Sequence, residues 1–338
     1  MDVTLSQLFR EYELFKRVKA VTKDKARAAF RHLVEFLGDA VASQVSTAAV
    51  NRWATWLATE AVNARTGQKG LSDYTIKTTV GAASQVFGWA LRQRGVDGIS
   101  EYGIRSNPFA DADPVKVDER EIRTYTSEQA SLLVAAAGEM EWRDPTKTLA
   151  WCGAILLGLD AGWRRGEIQN ARWDDIDLDA GRVTVQRRPD KPGEYWSWMA
   201  KGKRERSEPM SDVLWATLIR LREVRPWRYP FLSLGRYRSL LARPWPLPEE
   251  VRDCPVNNWT RNFKRIVDAA CLKTQDAAGF HMLRKTYGTW LADNNVPLHE
   301  TQLMLGHQSS STTLKHYIGI NQRKCEEAVR AAINARKY

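Results

Sequence analysis

Tyr317 stands ten residues after His307, which closes the run Leu305-Gly306-His307, and upstream of that run lies His281-Met282-Leu283-Arg284. Earlier still, Ala161-Gly162-Trp163-Arg164-Arg165-Gly166-Glu167 supplies a further arginine. Together these side chains could open a phosphodiester without a metal. A phenol can attack phosphorus, guanidinium and imidazole groups can hold the negative oxygens of a pentacoordinate intermediate, and a protonated side chain can hand its proton to the departing sugar hydroxyl. His281 and Arg284 are three residues apart, so on a helix they project from neighbouring points of one face and can meet one phosphate. Leu283, Tyr287, Trp290 and Leu291 fall on another face, suited to the core. A guanidinium fits the anion-holding role because it stays charged and offers two parallel donors. By chemistry alone Arg165 competes with Arg164 for that role, and Lys203 is nearly as good a proton donor as Lys201.

The elements that must position these groups are mainly helical. Leu5, Leu8, Phe9, Tyr12 and Phe15 repeat at helical spacing, as do Phe30, Leu33, Val34 and Leu37. Ser46-Thr47 predicts the start of a helix carrying Val50, Trp53 and Leu57, and Ser72-Asp73 the start of one carrying Ile76, Val80, Phe87 and Leu91, ended by Gly95 and Gly98. Polar and acidic residues with Pro108 and Pro114 then read as a linker over 111–123, between a helical domain over 1–110 and a second domain over 124–338. Ser127 is the expected cap of the next helix, and Leu149 to Leu159 a nearly wholly apolar, buried one. Arg182 to Val185, Tyr195 to Met199 and Arg206 to Met210 are expected to form a small antiparallel sheet with Lys201-Gly202-Lys203 in a turn. From Arg220 to Arg243 seven arginines stand against Glu223, which fits either a DNA-facing insertion or a solvated loop.

The chain has 338 residues and a formal net charge of +11, enough for two cores and biased toward a polyanionic partner. No run of about 18 apolar residues and no signal segment is evident, so a soluble cytoplasmic protein without a membrane partner is expected, and duplex DNA is the simplest polyanion. Cys152, Cys254, Cys271 and Cys325 are widely spaced and read as ordinary thiols in a reducing compartment. Neither zinc-ligand spacing nor a magnesium-seating acidic cluster is evident, so no metal or other cofactor is expected.

In the order Arg164, Lys201, His281-x-x-Arg284, Leu305-Gly306-His307, Tyr317, the chain resembles the tyrosine recombinases, the phage integrase family. The resemblance implies a mainly α fold, with a helical core-binding domain before an α-rich catalytic domain that carries a small antiparallel β-sheet. It selects Arg164 over Arg165, with Glu167 as its brace, and assigns Lys201 as general acid by the match of residues 200–206 to the family's lysine-bearing hairpin. It further implies that His281, Arg284 and His307 hold the phosphate and that Lys203, Arg204 and Arg206 contact DNA. Tyr317 becomes the nucleophile, although the commonest family spacing is one shorter and would fall on His316, a poorer lasting nucleophile. The implied reaction cuts and rejoins duplex DNA through a 3′-phosphotyrosine, without metal or ATP, in a homo-tetramer formed on DNA. The apolar face of Cys325, Ala328, Val329, Ala332 and Ile333 makes the tail 322–338 a candidate contact between subunits or within its own domain. A type IB topoisomerase would use much the same residues, and a non-catalytic DNA-binding protein could share the fold.

Overall fold

A computed structural model of the chain describes residues 3–306 apart from 65, 96, 97, 99, 114, 118–122, 200–204, 257 and 273–278. Lys201, Lys203, Arg204, His307, Tyr317 and the tail 322–338 therefore lie outside the described residues. The chain divides into two units, residues 1–120 and 121–338.

The first unit is built from α1 (Leu5–Phe15), α2 (Ala20–Leu37), α3 (Thr47–Thr59) and α4 (Asp73–Arg92). Short polar side chains start three of them by accepting otherwise unpaired backbone N–H groups. Thr4 and Gln7 form a reciprocal capping box, Ser46 accepts from Ala49 N–H, and Ser72 accepts from Thr75 N–H. The helices meet over Leu5, Leu8, Tyr12, Phe30, Leu33, Trp53, Leu57 and Phe87, all buried. Each such side chain contributes about 1.5–3 kcal/mol by leaving water. Trp53 also satisfies its indole N–H on the His32 carbonyl at 3.2 Å, so its burial leaves no donor unpaired. α4 stops at Arg92, short of the expected Gly95, where the Gln93 N–H turns back to the Ala90 carbonyl.

The second unit opens with α5 (Ser127–Glu139), capped by Thr126 rather than the expected Ser127. Next comes α6 (Thr146–Asp160), buried from Ala150 to Leu159 save for Cys152. The short α7 (Arg165–Gln169) follows, then β1 (Ile176–Asp177), β2 (Arg182–Val185) and β3 (Arg206–Pro209) in one antiparallel sheet with β2 in the middle. The remainder is α8 (Asp212–Val224), α9 (Leu234–Leu241), α10 (Glu249–Asp253), α11 (Trp259–Ala269), α12 (His281–Asp293) and α13 (Leu298–Leu305). α6 is the hub, packed against α5, α8 and α12. Gly158 lets α12 close on it, because a Cβ there would lie 2.9 Å from the Leu283 side chain.

Two expectations need correction. Residues 195–199 form no strand of the sheet; Tyr195 and Trp198 make only isolated bridges to Lys191 and Arg188. Trp196 instead stacks on Tyr229, ring centroids 4.1 Å apart and 6° from parallel, in a small cluster with Leu232, Leu240 and Leu247. Aromatic packing outweighs the alternating pattern there. The arginine-rich stretch is neither wholly DNA-facing nor a solvated loop. Arg225 is buried and donates to Asp144, Thr146, Pro230 and Leu232, while Arg228 pairs with Asp174 and Glu194.

Candidate active site

The end of α6 sets the first arginine in place. Gly162 has φ +60°, a left-handed conformation that ends the helix, and a Cβ there would lie 2.4 Å from the Tyr287 ring. Only glycine meets both demands. Buried Trp163 then anchors the reversal, its backbone N–H donating to the Leu157 carbonyl at 3.0 Å. Arg164 thereby becomes the residue that starts α7, with about a fifth of its side chain (22%) exposed.

Glu167 ties this arginine to the sheet. Its carboxylate accepts the Arg164 backbone N–H at 2.7 Å and Arg164 Nη1 at 2.9 Å, and Arg206 on β3 donates to it through Nη1 at 3.0 Å and through Nη2. Burial alone would raise this carboxyl. The charges and hydrogen bonds of Arg206, with Arg164 and Arg284 added, outweigh it and hold the group at about 2. Glu167 is therefore ionised at any working pH.

Arg284 joins two loops that are far apart in sequence. Its Nη1 donates to the Gly162 carbonyl at 2.5 Å and its Nη2 to the Leu305 carbonyl. One of these lies two residues before Arg164 and the other two residues before His307. Burial lowers the Arg284 guanidinium to about 9, the Arg164 charge adding to the effect and Glu167 opposing it, so it stays charged at neutral pH. Gly306, which ends α13 in a left-handed conformation, completes the junction, for a Cβ there would lie 3.5 Å from Arg206 Cδ.

The structure therefore brings Arg164, Glu167 and Arg284 together and adds Arg206. His281 opens α12 exposed, whereas Arg284, one turn further on, is buried. Three residues leave them about 60° apart around the helix, and the edge of the core passes between them. The expected DNA contact by Arg206 is corrected. Its side chain is 5% exposed and is held by Glu167, a brace within the site rather than a surface cation.

Glu208 was not legible as a member of the site. It is fully buried on the same face of β3 as Arg206, and burial raises its carboxyl to about 7 against the pull of Arg206, Arg284 and Arg182. The run Arg206-Ser207-Glu208-Pro209 has no apolar face, so alternation could have linked the two charges but not shown that they point inward. Among the described residues no group of three or more His, Cys, Asp or Glu side chains is placed to hold a metal ion.

The chain is similar to known proteins in both sequence and fold. The chain is 23% identical over 279 residues to a XerC-like tyrosine recombinase of Caldanaerobacter subterraneus subsp. tengcongensis, covering 78% of this chain and 66% of that one. It is 29% identical over 167 residues to y4rF of Sinorhizobium fredii, a protein described as an integrase/recombinase, covering 47% of this chain and 33% of that one. The chain thus spans from a third to just under two thirds of the length of these relatives. In fold it is similar to the Tn1549 transposon integrase in complex with transposon right end DNA, with a TM-score of 0.68 and 20% identity over 97% of this chain and 100% of that one. The lambda integrase dimer bound to a COC′ core site is similar at a TM-score of 0.63 and 19% identity, over 93% of this chain and 77% of that one. The sequence profile of the phage integrase family matches residues 123–324, well over half of the chain and all of the arginine cluster, so the chain belongs to that family of tyrosine recombinases.

Proposed function

We propose that this protein is a site-specific recombinase that cuts and rejoins double-stranded DNA through a 3′-phosphotyrosine on Tyr317. The observation that carries the proposal is the bridging of the Gly162 and Leu305 carbonyls by Arg284, which draws the Arg164 loop and the chain leading to His307 toward one spot. Arg164 is the outer arginine, partly exposed for an incoming phosphate, and Arg284 is the inner one beneath it. In this mechanism their charges stabilise the phosphorane oxygens, with help from His281 and His307, as the phenolic oxygen bonds to phosphorus. The bond to the 5′ oxygen breaks, and Lys201, or its neighbour Lys203, gives that oxygen a proton. Lys203 and Arg204 contact the backbone nearby. The phosphotyrosine keeps the energy of the broken ester, so a 5′-hydroxyl can reverse the step without ATP. A different 5′-hydroxyl gives recombination, and the original one gives only relaxation. Recombination between two duplexes calls for four protomers, with residues 322–338 as the candidate contact between them. The net charge of +11 favours DNA as partner.

The test uses nicked suicide duplexes cut from the junctions that flank the coding sequence, with EDTA present. The full chain is expected to form a covalent adduct that survives denaturation, and Tyr317→Phe to form none. An adduct that persists in Tyr317→Phe, or that requires magnesium, would refute the mechanism. Exchange of ends between two labelled duplexes separates a recombinase from an enzyme that only relaxes DNA.

A further inference from the structure

Glu208 is a buried acid to which the proposed reaction assigns no part. None of its surface is exposed, and neither carboxyl oxygen has a hydrogen-bond partner. Arg206 Nε, also without a hydrogen-bond partner, lies 3.6 Å from its Oε1, just beyond bonding distance. The charged and titratable groups around it come from each element packed there. They are Arg206 on its own strand, Arg182 on β2, Glu167 on α7, and Arg284 with the Tyr287 phenol on α12. The charged side chains of α13, His299 and Glu300, are exposed and face each other.

Burial of an unbonded carboxylate is costly, so this acid keeps its proton to about neutral pH. Its protonation changes what the cluster offers. The guanidinium groups of Arg164, Arg206 and Arg284, with Glu167, leave an excess of about two positive charges when Glu208 is neutral and about one when it is ionised, the exposed Arg182 being left out of the sum. An anion drawn to Arg164 adds negative charge nearby and so strengthens the hold of Glu208 on its proton. Linkage then requires anion binding to bring a proton with it.

We propose that Glu208 is a positioning residue that sets how much positive charge the arginine cluster turns toward a phosphate-like anion. Protonated, it leaves Arg206 to Glu167 and the cluster open to the anion; ionised, it draws Arg206 toward itself and competes. The proposal rests on reading the cluster as the phosphate site, and its test is separable from the test of strand cleavage.

Sulfate serves as the probe, because its charge does not change between pH 6 and pH 8.5. Calorimetric titration of the full chain at constant ionic strength is expected to show sulfate bound about tenfold more weakly at pH 8.5 than at pH 6. Glu208→Gln, a neutral isostere, should bind it equally at both pH values, and Arg164→Ala should weaken it at both. Wild type should also take up a proton on binding at pH 7, measured in two buffers of different ionisation enthalpy, which does not depend on the variant folding. Equal pH dependence in wild type and Glu208→Gln, absence of proton uptake, or sulfate binding indifferent to Arg164 overturns the proposal. If Tyr317 forms its adduct while these effects are absent, the role of Glu208 falls alone. If the sulfate behaviour holds and no adduct forms, the cleavage mechanism falls alone.

Discussion

Among the described residues the first unit buries no Asp, Glu, Lys or Arg, its buried polar side chains being His32 and Ser100, whereas the second buries the charged Glu167, Arg172, Asp175, Arg206, Glu208, Arg225 and Arg284. The first unit holds together by aromatic and aliphatic contact, such as the edge-on packing of Tyr12 against Trp89 at 5.5 Å. Buried charge is a poor means to stability, since desolvation offsets much of the attraction, so its concentration in one unit points to another use. The second unit contains a further contrast. Arg225 is closed off, its donors met by Asp144, Thr146 and two backbone carbonyls. The cluster of Arg164, Arg206 and Arg284 is not, because among the described residues only Glu167 opposes it with a settled negative charge. A surplus of buried positive charge beside a partly exposed arginine is the feature on which the proposed phosphate site rests.

The contrast can be broken most forcefully by one substitution in each unit. Trp53→Ala should cost about 3–5 kcal/mol in urea unfolding, as a cavity in an apolar core, and leave sulfate affinity unchanged. Glu167→Ala should cost a similar 3–5 kcal/mol or so for a different reason, because Arg206 and Arg284 are left as uncompensated buried charges, and it should also abolish adduct formation. If the two variants behave alike toward sulfate and DNA, the division between the units fails.

The pH dependence of stability sharpens the comparison with a somewhat smaller effect. Glu167 is held at about 2 against an ordinary value of 4.5, so the native state binds fewer protons, and its contribution is present above pH 4.5 and lost as pH falls toward 2. Glu208 has the opposite sign. Held at about 7, it keeps a proton that the unfolded chain has released, so stability declines as pH rises from 4.5 to 7 and levels off beyond. Each limb should amount to about 3 kcal/mol at 1.36 kcal/mol per pH unit. Urea midpoints measured against pH should show the upper limb in wild type and not in Glu208→Gln; the same upper limb in both would contradict it. At the bottom of the range, Lys69→Ala removes an ion pair with Glu60 on the surface of the first unit and should leave the unfolding midpoint where it was.

Short-range signals were the legible ones. Ser46 and Ser72 each accept the N–H three residues on, as their type and place before an apolar run suggest. The contact between Arg164 and Glu167 spans three residues and could likewise be anticipated. Residues 195–199 misled because alternation fits a strand, yet nothing local told that Trp196 would stack on Tyr229. Arg206 misled because a basic residue near a lysine-bearing turn resembles a DNA contact, while its partner Glu167 lies 39 residues away.

By itself the sequence determined the helices, the division of apolar faces and the set of reactive residue types in order, since propensity, capping and periodicity act over a few residues. The tertiary structure alone decided which charges are buried and against what. Arg284 reaches the Gly162 carbonyl across 122 residues of chain, and Glu208 becomes a near-neutral acid only because the packed sheet and helices shut water out around it. Burial and long-range contact set the electrostatics of the site, and neither is encoded in any short stretch of residues.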